Sequence, residues 1–125
     1  MILTLAQVAL GGAVGASSRW LLGMWIFRIT GPGFPLAVLS CNVLGSLLMG
    51  VFVVVAAHRG LTHLSPLVQV GILGGFTTFS SFSLEALTLM ERGEAAQAAA
   101  YILLSVGASI GGLYLGLTVA RGLIA

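Results

Sequence analysis

The stretch "GGFTTFSSFS", Gly74 to Ser83, decides how this chain folds. It sits inside what hydropathy reads as one membrane helix, yet it carries two adjacent glycines and five hydroxyls interleaved with three phenylalanines. Glycine weakens a helix by about 1 kcal/mol relative to alanine, and Ser and Thr side chains compete for the backbone groups a helix needs. At a rise of about 1.5 Å per residue from Pro66, residues 74–80 fall near the middle of a hydrocarbon core about 30 Å thick. The stretch therefore predicts a discontinuity at the bilayer midplane; the alternative is an unbroken helix whose glycines only serve packing. Irregular backbone at that depth survives only inside protein or beside a hydrated cavity, and the broken helices of transport proteins place such backbone at ion sites.

Working outward, the chain has 125 residues, 58% hydrophobic and 6% charged, with a mean hydropathy of +1.14. That composition is an integral membrane protein's. At roughly 20 to 25 residues per crossing, it predicts about four spans: Leu3 to Phe27, Leu36 to Ala57, Pro66 to Met90 and Ala95 to Ala120. They form a single four-helix transmembrane domain over residues 1–125, joined by the linkers "RITGPGFP", "HRGLTHLS" and "ERGE". The first span lacks the basic segment of a signal peptide and is kept in the mature fold. Trp20 and Trp25 suit an interfacial aromatic belt.

Several function classes drop out. Five arginines against three glutamates are too scattered to follow successive phosphates, which excludes nucleic acid. Cys41, the only cysteine, rules out an intrachain disulfide and reads as a small apolar residue. His58 and His63 lie by the second loop, no thiol pair exists, and no glycine-rich phosphate loop follows a strand, so an enzyme is not expected.

Four crossings put Arg59 and Arg121 on one side and Arg28 and Arg92 on the other. With two arginines against two, the positive-inside rule sets no orientation. The balance predicts insertion both ways and an antiparallel homodimer whose two-fold axis lies in the membrane plane; the alternative is a weak bias and one orientation. Gly11 and Gly15, Gly107 and Gly111, and Gly112 and Gly116 are each four apart and match small-residue packing faces.

In such a dimer the two breaks meet at the axis. Two carbonyls from each chain would supply four oxygens, a site suited to a small monovalent cation. Phe76, Phe79 and Phe82 recur every third residue, either as packing or as ring edges whose positive rim meets an anion. Tyr101, Ser105 and Ser109, in steps of four, place hydroxyls on one face of span 4, as a conduction track for an anion or as packing. Asn42 offers an amide at mid-depth, as a donor to an ion or as an interhelical clamp. Arg19 either snorkels or forms a positive vestibule, and Glu85 is either a proton-coupling carboxylate or a structural hydrogen-bond partner.

These residues resemble the Fluc (CrcB) family of fluoride ion channels. The resemblance covers the whole chain, through "GGxVGASSRW" in span 1, "SCNVLGS" in span 2, "GGFTTFSSFSLE" in span 3 and the Tyr101, Ser105, Ser109 ladder, with the span 3 string the specific part. It implies a dual-topology homodimer in the bacterial inner membrane, with two fluoride pathways and a central sodium ion held by the backbone carbonyls of Gly74 and Thr77 from both chains. It also implies Phe79 and Phe82 as fluoride-facing rings, Asn42 as the pore amide, Tyr101, Ser105 and Ser109 as the polar track, Arg19 at the pore mouth, and Glu85 as the family's glutamate after the break. Family members export fluoride passively: the weak acid diffuses in, ionises and leaves as the anion. Ser81 and Ser40 stand where the family often has threonine. A small proton-coupled multidrug exporter shares four helices and dual topology but needs a titratable carboxylate, for which Glu85 is the one candidate; a membrane-structural protein whose glycines only mediate packing is the third reading.

Overall fold

The computed structural model describes residues 1–124, which are helical almost throughout, with no strand among the described residues. The elements are α1 (Ile2–Thr30), α2 (Leu36–Arg59), a 3₁₀ turn (Thr62–Leu64), a π-helical segment (Pro66–Leu73) running into one turn of α3 (Gly74–Phe76), then α4 (Phe79–Glu91) and α5 (Ala95–Ile124). Leu36–Arg59, Pro66–Glu91 and Ala95–Ile124 are each long and apolar enough to cross a membrane. α1 has 29 residues, with its apolar run diluted by Gln7, Ser17, Ser18 and Arg19. The chain is an all-α membrane protein.

Glycine decides which helices touch. A Cβ on Gly15 would collide with the carbonyl oxygen of Ile72 and lie 2.9 Å from the amide nitrogen of Phe76; a Cβ on Gly71 would lie 2.8 Å from the Cα of Gly11. α1 and the first half of span 3 therefore meet backbone to backbone through Gly11, Gly15, Gly71 and Gly75. α2 and α5 meet similarly, with Gly50 against Leu113 and Leu117, and Gly116 against Leu47 and Val51. Close approach at small residues supplies the van der Waals contact that drives helix association in lipid, where no hydrophobic effect separates helix from solvent. Gly107 and Gly111 have open space around them and face away from the rest of the chain.

Span 3 is interrupted, but not where the glycines stand. Gly74 and Gly75 are helical, and a Cβ on Gly75 would lie 2.9 Å from the Gly12 oxygen. Gly75 serves packing. The interruption is at Thr77 (φ −90°, ψ 155°) and Thr78 (φ −151°, ψ 124°), both extended. Thr77 closes the first half, its N–H and its Oγ1 both donating to the Leu73 oxygen at 3.0 Å. Thr78 opens the second half as an N-cap, its Oγ1 accepting from the Ser81 N–H at 3.2 Å. The π winding before the break was not foreseen: its i→i−5 bond from the Gly74 N–H to the Gln69 oxygen has no compositional signature. Such segments favour functional sites.

The four arginines that flank the spans, Arg28, Arg59, Arg92 and Arg121, stand at the C-terminal ends of α1, α2, α4 and α5. A cation there is favoured by the partial negative charge of the last carbonyls.

Candidate functional site at the helix break

Two extended residues leave backbone groups on both sides of the break without their usual helical partners, and a group of that kind deep in a membrane costs several kcal/mol. The chain answers with two side chains from other helices. Asn42 on α2 spans Thr78: its Nδ2 donates to the Thr78 oxygen at 3.0 Å, and its Oδ1 accepts from the Thr78 N–H at 2.7 Å. Arg19 on α1 donates from Nε to the Gly75 oxygen at 3.1 Å. Neither brace takes the carbonyls of Gly74 or Thr77. Gly74 lies exposed on the chain surface.

Beside the break runs an open groove of about 390 Å³, which brings together Asn42, Phe79, Phe82, Ser105 and Ser109. None of the residues lining it is charged. The Oγ atoms of Ser105 and Ser109 are buried without a hydrogen-bond partner. Serine in an apolar helix commonly bonds back to the preceding turn, as Ser83 does to the Phe79 oxygen at 2.9 Å; these two hydroxyls do not. Ser105 has only the neighbouring Tyr101 hydroxyl within reach, and Ser109 remains free to donate to something in the groove. Phe79 is 76% exposed in the single chain whereas Phe82 is 8% exposed, and their ring centroids are 5.4 Å apart.

The residues expected from sequence divide. Phe76 belongs to packing: it is buried, and a Cβ on Gly45 would lie 3.2 Å from its ring. A spacing of three keeps side chains on one face only in a continuous helix, and the extended Thr77 and Thr78 turn Phe76 away from the other two. Tyr101 lies on the same face of α5 as Ser105 but is fully buried at 0% exposure, behind Phe82 at a ring separation of 5.3 Å. Its hydroxyl donates to Glu85 Oε2 at 3.2 Å, so Glu85 has the structural partner weighed for it. Glu85 lines a second cavity of about 290 Å³ with Phe34, Thr88 and Arg92. Arg19 does not reach the groove within one chain; it lines a third cavity of about 400 Å³ with Arg28 and Cys41. Ser46 and Met49, unremarked in the sequence, line the groove from α2. Their spacing of four and seven from Asn42 was the signal that they share its face.

The arrangement suits weak, passable capture of a small anion: hydroxyl donors, an amide and ring edges replace water, and no fixed positive charge traps the ion. Among known proteins, the family described as "CrcB-like protein, Camphor Resistance (CrcB)" matches residues 6–117. A relative from Ruegeria sp., named "Fluoride-specific ion channel FluC", is 62% identical over 99% of both chains. Relatives of the same name from Roseobacter denitrificans and Cereibacter sphaeroides are 64% identical over 95% of this chain and 96% of the relative, and 55% identical over the whole of both.

Proposed function

The chain belongs to the CrcB-like family, and on that premise we propose that it is a fluoride-specific ion channel, the activity for which its relatives are named. It is not an enzyme. The observation that carries the reading is the uncharged groove beside the break, where two buried serine hydroxyls lack partners and phenylalanine rings form the wall. An anion as small as fluoride holds its water tightly, so a route must offer many short donors at once. Fluoride efflux from liposomes holding the purified chain tests this. A passive channel discharges a fluoride gradient as a current with no pH gradient present, whereas a proton-coupled exporter would move fluoride only against protons. Efflux no faster than from protein-free liposomes would end the reading.

The working unit is an antiparallel, dual-topology homodimer of four-span subunits in the bacterial inner membrane, with two fluoride routes. Support comes from the two-against-two arginines at the helix ends and from surfaces one chain leaves open: Gly74, Phe79, and the empty space beside Gly107 and Gly111. The carbonyls of Gly74 and Thr77, unclaimed by Asn42 or Arg19, would hold a sodium ion on the axis; hard oxygen donors fit such an ion. When bound, it supplies a fixed positive charge at the midplane. Reporters fused after Ala125 are expected to give comparable cytoplasmic and external signals, and a one-sided signal would refute dual insertion.

A further inference from the structure

The polar line of α5 does not end with the last serine on that helix. A Cβ on Gly112 would lie 3.3 Å from the Val43 oxygen, and one on Gly116 would collide with the oxygen of Leu47. Val43 is thus level with Gly112 and Leu47 with Gly116, which means α2 and α5 run in the same direction with a fixed register. Asn42 and Ser46, one residue before Val43 and Leu47, are then the next polar groups beyond Ser105 and Ser109. Each step of four residues advances about 6 Å along a helix. The file of polar side chains passes from α5 to α2 at the level of the break, where Asn42 holds Thr78. Ser46 and Ser109 line one groove.

From this register we propose that Ser46 is an ion-contacting residue: its hydroxyl extends the fluoride route one helical turn past Asn42, on the side of the break away from Ser105. Asn42 has committed its Oδ1 and one amide hydrogen to Thr78, leaving one hydrogen for an ion. Beyond it the groove wall carries Gly45, Met49, Leu113 and Thr77, and Thr77 has committed both its hydroxyl and its N–H to the Leu73 oxygen, so the free donor there is Ser46. Without that hydroxyl the ion would have to recover its water within the apolar part of the groove, at a cost that appears as a slower passage.

The inference rests on the fluoride-channel reading, and the experiment separates the two. In liposomes, Ser46→Ala is expected to lower fluoride efflux about 3- to 10-fold, with Ser46→Thr close to wild type and the thermal unfolding midpoint of both unchanged. Efflux from Ser46→Ala equal to wild type would overturn the proposal while leaving the channel itself intact; absence of efflux from wild type would instead strike at the function. A second measurement guards against a compensating shift in the alanine variant. A water-soluble thiol reagent should block Ser46→Cys and spare both wild type, whose Cys41 is buried, and Leu44→Cys on the exposed face of α2. Equal insensitivity of Ser46→Cys would also refute it.

Discussion

Asn42→Ala is expected to abolish fluoride efflux and to lower the stability of the fold by about 2–6 kcal/mol. The side chain satisfies both the N–H and the C=O of Thr78, and each backbone group left unpaired away from water costs about 1–3 kcal/mol. Alanine leaves both. The chain then has two ways to relax, and each removes function: Thr78 turns helical and closes the break, or water enters and the groove loses its dry wall. Asn42→Asp separates the two bonds. It keeps an acceptor for the Thr78 N–H but sets a second oxygen against the Thr78 carbonyl, so it should also fail to conduct. Thermal unfolding in detergent, read beside efflux, checks the result. An Asn42→Ala protein with an unchanged midpoint would show that the clamp does not hold the break, and loss of efflux would then have to come from an amide contact with the ion alone.

The clamp also marks how far the sequence could be read. Composition and spacing sufficed for the helical membrane fold, because burying a span in lipid needs only a long apolar run. They sufficed for a break in span 3 as well, since "GGFTTFSSFS" gathers residues that disfavour an uninterrupted helix. They offered two causes, the glycines and the hydroxyls, and only the second acts at the break. Gly75 looks like a breaker, yet its missing side chain admits α1, a contact with a helix some sixty residues away that no local pattern encodes. The threonines that do end and restart the helix carry the expected N-cap chemistry, and only the two-fold bond from Asn42 makes Thr78 affordable at that depth. Sequence left the amide open between ion donor and clamp for the same reason: which atom it faces is a tertiary fact. Arg19 is similar. Its Nε reaches the Gly75 oxygen, and neither snorkelling nor a vestibule required that partner. The stripe Tyr101, Ser105, Ser109 was legible as one face of a helix, but not that Phe82 would cover Tyr101 while the two serines line the groove.

Phe79→Ile with Phe82→Ile is expected to reduce efflux to the level of protein-free liposomes while the fold survives. Isoleucine keeps an apolar side chain at each position but has no ring, so it removes the positive rim that an anion can approach. The packing cost falls unequally. Phe82, 8% exposed and stacked near Tyr101, should cost about 1–3 kcal/mol on replacement. Phe79, 76% exposed in the single chain, should cost that chain almost nothing. Phe79→Ile alone is therefore the sharper variant: loss of efflux with an unchanged unfolding midpoint can only come from the groove or from the surface proposed to meet a second copy, and an elution volume on gel filtration equal to that of wild type leaves the groove. If Phe79→Ile conducts as wild type does, the exposed ring is a lipid- or partner-facing side chain and the route must run along the serines without it. The distinction turns on one physical difference between the two rings: Phe82 is held by its neighbours whatever passes, whereas Phe79 touches the Phe82 ring and is otherwise exposed at the mouth of an interrupted helix.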